Sequence, residues 1–257
     1  MNSGMAGSPM SERVKSVCAG SIALVLASYA CGDSSGPESC STGDVRLVAE
    51  SACLDFAQAG SVAAYRAVIQ EEVERTLAVV GGYLRIDGIR IRIVADPSSV
   101  IPEVGLGGYA PSGSEIRIYA SPDSSDLEHI IRSELLPILA HELHHVMRWR
   151  TVGYGATLFA AAVSEGLADH FAEQVAEIAP RPWSVALEDQ ELEFWMAEVL
   201  SAAGGYNHSD WFLGGHASIP RWTGYAVGYE LVRQYLALNP GETAVSLVGE
   251  PAASFRP

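Results

Sequence analysis

Lysine is almost missing from this chain. Lys15 is the only one, so arginine supplies nearly all of the 16 basic residues, and no basic run occurs anywhere. Against 31 acidic residues this leaves a formal net charge of −15. A surface this acidic repels polyanions, which argues against nucleic acid or an anionic lipid face as a partner. Cysteine is scarce as well. The four present show no C-x-x-C spacing, so no cysteine-built metal site is expected. A long hydrophobic run is the third absence: the only candidate, VCAGSIALVLA at residues 17–27, is too short to span a bilayer comfortably. What is present is ordinary globular material, 48% hydrophobic and 18% charged over 257 residues, enough for one sizeable domain or at most two small ones.

The apolar run at 17–27 follows Arg13 and Lys15 and precedes the small-x-small pattern SYA at 28–30. That order reads as a signal peptide over residues 1–30. Two outcomes follow from it. Cleavage after Ala30 releases a soluble exported protein; alternatively, Cys31 is the lipid-modified first residue of a bacterial envelope lipoprotein, which this stretch resembles. A third reading makes the run a plain apolar helix of the fold. Export is the expectation, with the membrane reached only through an anchor at Cys31. Residues 31–58 then form a flexible tether or N-terminal extension, with Gly, Ser, Pro and Asp dominating 32–43. Cys40 and Cys53 can close a small loop in an oxidising compartment or stay as two thiols; their spacing does not decide.

Further along, residues 61–80 place apolar side chains at helical spacing and stop at Gly81-Gly82. IRIRIVAD (89–96) and SEIRIYAS (114–121) alternate and read as half-buried strands, with the glycine-rich GLGGYAPSG between them as a turn or a flap. A helix is expected from Asp126 through the arginine-tipped run ending near residue 150, kinked or split at Pro137. Further helices are expected over 156–179, about 184–203 and about 223–238, with loop at 204–222. Strands first and helices later predict an α+β domain over residues 59–257, a small N-terminal sheet with helices and a mostly helical C-terminal part.

Three of the seven histidines fall within HELHH, residues 141–145, among apolar neighbours. His141 and His145 lie four apart, on one face of a helix, where two imidazoles can bind one Zn²⁺. Glu142 sits beside the first of them, placed to take a proton from a zinc-activated water without being a ligand. His144 points away from this pair. Two ligands do not complete a catalytic zinc site, and the H-x-x-G-x-x-H continuation is absent after His145. Glu165, in SEGLADH, is the next candidate: the residues before it are apolar, and a lone buried carboxylate is costly unless paired or metal-bound. Asp169, one turn later, can accept from the far nitrogen of a zinc histidine. His170 is the rival to Glu165, but five residues on a helix cannot point both at one metal.

H-E-x-x-H followed by E-x-x-x-D on the next helix resembles the glutamate-zincin group of metallopeptidases. SEGLADHFAEQ and IPRWTGYAVGYELVRQYL narrow the likeness to the YjaZ-like predicted Zn-dependent proteases of bacteria, over about residues 60–240. The resemblance implies a zincin-like fold, zinc as cofactor, His141, His145 and Glu165 as ligands, Glu142 as the catalytic glutamate, and a peptide or protein substrate. It also implies that the strand at 114–121 edges the cleft and pairs with an extended substrate. For the charge developing on the scissile oxygen the candidates are His216, Tyr225 and Tyr229, and the resemblance favours WTGYAVGY. The competing class is an exported zinc-binding lipoprotein whose metal is structural and which binds a partner without hydrolysing it.

Overall fold

The computed structural model describes Cys40, residues 43–50 and residues 52–257. The expected signal run, cleavage site and Cys31 anchor lie outside the described residues. Five strands form one sheet in the order β1-β2-β3-β5-β4. They are β1 (Val45–Val48), β2 (Ala52–Gln58), β3 (Ile89–Ala95), β4 (Leu106–Ser112) and β5 (Glu115–Ala120). The central pairs β2/β3 and β3/β5 are parallel, and the outer pairs β1/β2 and β4/β5 are antiparallel. Period-two alternation decides the faces. Ile89, Ile91, Ile93, Ile116 and Ile118 turn inward onto the helices. Their neighbours Arg90, Arg92, Glu115 and Arg117 turn outward and pair with one another, within β5 and across the strands, and with Asp55 at 2.8–3.3 Å.

Among the described residues five α-helices complete the α+β domain: α1 (Arg66–Val80), α2 (Leu127–Trp149), α3 (Leu158–Ala176), α4 (Asp189–Ser201) and α5 (Thr223–Leu238). Helix α1 connects β2 to the parallel strand β3 and packs on α2. Helix α2 lies against β4 and β5 and is buried along most of its second half.

Four expectations are corrected here. Residues 45–58 are not a tether: they supply β1 and β2, and the buried Leu54, Asp55 and Phe56 tie them into the sheet. Strand β2 was hidden because consecutive buried residues break the alternation that marks a half-buried strand. The stretch GLGGYAPSG is neither turn nor flap but mostly β4, paired with β5 through a bulge between Tyr109 and Ser112. Strand β5 is therefore interior, and β4 is the sheet edge beside α2. Finally, α2 is not split at Pro137 but continues through it. The proline costs one helical hydrogen bond, but packing of the buried flanks against α1, α3 and β4 outweighs it. Cys40 and Cys53 do form a disulfide, with Cα atoms 5.2 Å apart, which fastens the entry of the domain to β2.

The closest helix pairing is α3 against α5. A Cβ on Gly166 would stand 2.1 Å from the carbonyl oxygen of Gly228, and one on Gly228 1.9 Å from that of Ala162. The two backbones touch, and only glycine permits it. This contact carries Tyr225 of α5 to its place near Glu165 of α3. One turn beyond Asp169, Glu173 is caught in the same contact: Oε2 accepts from the Tyr229 hydroxyl at 3.0 Å, and Oε1 is buried without a partner. Burial raises its carboxyl to about 7, against the Tyr229 hydrogen bond and with help from the negative Asp169.

Two outcomes follow. Gly228→Ala is expected to cost about 2 kcal/mol in urea unfolding, by overpacking a backbone contact. Gly241→Ala, with nothing within 4 Å of its added methyl, is the control; equal effects would contradict the contact. The folded pKa of Glu173 is raised above the ordinary 4.5, so its share of stability is present below that value and lost as pH rises through about 7. Glu173→Gln is therefore expected to gain on the wild type between about pH 5 and about pH 8, and a constant offset would contradict it.

Candidate metal centre

Helix α2 brings His141 and His145 to one face, and α3 lies beside it with Glu165 opposite both. The Nε2 atoms of the two imidazoles are 3.0 Å apart. Glu165 Oε2 stands 3.0 Å from the first and 3.2 Å from the second. All three side chains are buried. Their ligand atoms lie within 4.8 Å of one another, as a shared metal ion requires.

The donor chemistry of this cluster fits zinc. Asp169 Oδ1 stands 2.9 Å from His141 Nδ1, which places the ring proton there and leaves a lone pair on Nε2. Asp169 is itself anchored by Trp183 Nε1 at 3.0 Å and Ser184 Oγ at 2.8 Å. His145 Nδ1 is buried with no protein partner among the described residues. Two imidazole nitrogens and one carboxylate oxygen thus converge on a single point, where their lone pairs repel unless a proton or a metal cation lies between them. Two nitrogens and a carboxylate at one centre is a ligand set that zinc accepts. The cluster attracts positive charge. Burial works to lower the His141 imidazole, but Asp169 and Glu165 outweigh it and hold it well above its usual range. Burial works to raise Glu165, but His145 and His141 hold its carboxyl well below the usual range.

Glu142 is buried next to the cluster. Burial pushes its carboxyl up, with His141 and His145 pulling the other way. Strand β4 passes so close that a Cβ on Gly108 would lie 2.5 Å from Glu142 Oε1. The glycine that reads as turn chemistry in the sequence is there to let the strand reach the carboxylate.

Of the remaining candidates, Tyr225 faces the centre. Its ring meets Phe212 edge-on at 5.2 Å, and its hydroxyl has no hydrogen-bond partner among the described residues. Burial raises it well above the usual tyrosine range, and Glu165, Asp169 and Glu142 add to this. Tyr229, one turn on, turns away to Glu173. His170 stacks on Tyr229 at 4.1 Å and is not at the centre. His216 is exposed, and its Nδ1 accepts from the Ser218 amide in its own turn; no described contact brings it to the cluster. His144 is packed: its Nε2 stands 3.1 Å from the Ala244 carbonyl, and its ring lies 5.4 Å from Phe171.

Two residues at the centre escaped sequence reasoning. Tyr154, in the α2–α3 connection, donates its hydroxyl to Glu165 Oε1 and packs its ring 5.3 Å from His145. It thereby occupies one carboxylate oxygen and leaves Oε2 to the imidazoles. His208 stacks on Phe212 at 4.4 Å, 6.1 Å from Tyr154. Burial lowers its imidazole, partly offset by Glu165. The only signal for Tyr154 was a lone aromatic between glycines, and His208 had none.

Asp169→Asn is expected to weaken zinc binding by roughly 10–100-fold, measured by chelator competition, because an amide no longer fixes the His141 proton. Unchanged affinity would show that Asp169 does not orient the imidazole.

A sequence family described as Predicted Zn-dependent protease (DUF2268) matches residues 67–256, which include every residue of this centre. No curated protein matches the chain. The matched span covers well over half of the chain, from α1 to the last residues, and the buried His141–His145–Glu165 cluster can hold the metal that the family description names: the chain belongs to this family of predicted Zn-dependent proteases.

Proposed function

We propose that the chain is a zinc metallopeptidase of the glutamate-zincin type, close to the YjaZ-like proteases, with His141, His145 and Glu165 as protein ligands and Glu142 as general base. The observation that carries the reading is the convergence of those three ligand atoms beside the buried Glu142 carboxylate, which is not one of them. Bound zinc would supply Lewis-acid polarisation of a carbonyl and a lowered pKa for the attacking water. Glu142 takes the proton from that water and delivers it to the leaving amine. Tyr225, with its hydroxyl free among the described residues, donates to the oxygen on which charge develops. Asp169 and Tyr154 hold His141 and Glu165 in the orientation the ligands need.

A peptide substrate is supported by the sheet. Among the described residues strand β4 is an edge, with β5 on one side only, and Gly108 brings it against Glu142. An extended peptide can add to that edge through main-chain hydrogen bonds and pass its scissile bond over the centre. A purely structural zinc site would call for a fourth protein ligand. Among the described residues the cluster contains three. The Cys40–Cys53 disulfide supports export, since such bonds persist in oxidising compartments. Anchoring through Cys31 is part of the same proposal.

The test is metal content and peptide cleavage for wild type and Glu142→Gln. The variant is expected to keep one zinc per chain and to lose at least about 100-fold in turnover, the scale of a lost general base. Equal turnover would remove Glu142 from the mechanism, and loss of zinc from the variant would make it a ligand instead.

A further inference from the structure

Arg148, on the last turn of α2, is 1% exposed. Its Nε donates to Ser164 Oγ at 3.0 Å. Its Nη1 reaches the carbonyls of Leu247, Val248 and Glu250 at 3.5, 3.2 and 3.2 Å. Those bonds tie the C-terminal segment to α2 and α3 but leave the charge uncompensated: no carboxylate of the described residues forms an ion pair with it, and Glu250 acts on it only from a distance. Burial pulls the guanidinium down to about 10, so it remains a cation at neutral pH. Its Nη2 donates to no described residue and is not among the sealed, unpartnered atoms of the interior.

Beside it lies a cavity of about 370 Å³. The walls are the α2–α3 connection from Val152 to Ala156, Ala160 in the first turn of α3, and Pro251-Ala252. The volume is in the range of small-ligand sites and exceeds what a single water or halide fills. No acidic side chain lines it, in a chain that carries 31 of them. Two positive influences reach it instead: the buried guanidinium and the N-terminal end of the 19-residue α3. A buried, unpaired cation costs free energy, and an anion at Nη2 would remove that cost. Apart from Tyr154, the rest of the lining is apolar and small, suited to a methyl or short alkyl group.

We propose that this cavity binds a small carboxylate, held by Arg148 Nη2, with its alkyl part against Val152, Pro251 and Ala252. With Nε and Nη1 engaged, the carboxylate meets Nη2 alone, through a charge-assisted hydrogen bond. The carboxylate is either a free short-chain acid or the C terminus of a peptide, which present the same chemistry. The site adjoins the metal centre through Tyr154, which lines the cavity, donates to Glu165, and accepts from Ser164 Oγ at its carbonyl. It does not depend on the zinc reading.

The test is the thermal unfolding midpoint of the full chain at constant ionic strength, titrated with sodium acetate, N-acetylalanine, sodium chloride and acetamide. A saturable rise with the two carboxylates, and none with acetamide, is expected. Saturation at lower concentration by N-acetylalanine assigns a peptide terminus, and by acetate a free acid. Ala156→Glu places a carboxylate at the exposed mouth of the cavity and is expected to abolish the response while raising the midpoint in the absence of ligand. Arg148→Met should abolish it too, and Ala156→Glu keeps the test decisive if that variant does not fold. Glu142→Gln should respond like the wild type. No saturable rise, saturation by chloride alone, an equal rise with acetamide, or an undiminished response in Ala156→Glu would overturn the proposal.

Discussion

Everything at the centre depends on one buried carboxylate placed against two imidazoles. Glu165 is costly in an apolar helix, and the two histidines across from it are the reason it can stay there. That pairing fixes how α3 lies beside α2. It also fixes what must surround it: Asp169 behind His141, Tyr154 on the second oxygen of Glu165, and α5 pressed to α3 without a side chain between. A cluster of this polarity inside an apolar core specifies a single arrangement, because every alternative leaves an ionisable group unpaired.

The sheet serves the same cluster from the other side. Its inward isoleucines give α2 a flat apolar bed, and its outward arginines neutralise Asp55 and Glu115 in a chain otherwise rich in unpaired acids. The strand nearest the centre is the one with the most glycine. Gly108 lets β4 approach Glu142, and Gly107 sits so close to the Ser99 carbonyl that a Cβ would stand 2.1 Å away. The residues that could hold a metal thus come from helices, while the edge beside them comes from a strand whose composition is set by proximity rather than by strand propensity.

That difference explains what could be read in the sequence. Helix geometry is local, so the spacing of His141 and His145 was enough to put them on one face and His144 on another. Glu165 was legible because a carboxylate amid alanines and valines demands a partner. Strand β4 was not, because glycine reads as a turn when the Glu142 side chain that requires it lies far along the chain. Strand β2 was lost for a related reason: burial of consecutive residues erases the alternation that marks a strand, and β1, four residues with only Val48 buried, shows none either. Tyr154 and His208 stand in connections whose path only tertiary packing decides, and His216 proved to serve its own turn.

The central claim is that one zinc ion is held by two imidazoles and one carboxylate. Zinc K-edge X-ray absorption on the metal-loaded full chain addresses it most directly. Two imidazole ligands with the remaining coordination from oxygen, at one zinc per chain, are the expected result. A spectrum without imidazole scattering, or one unchanged when His141 and His145 are both replaced by alanine, would contradict it.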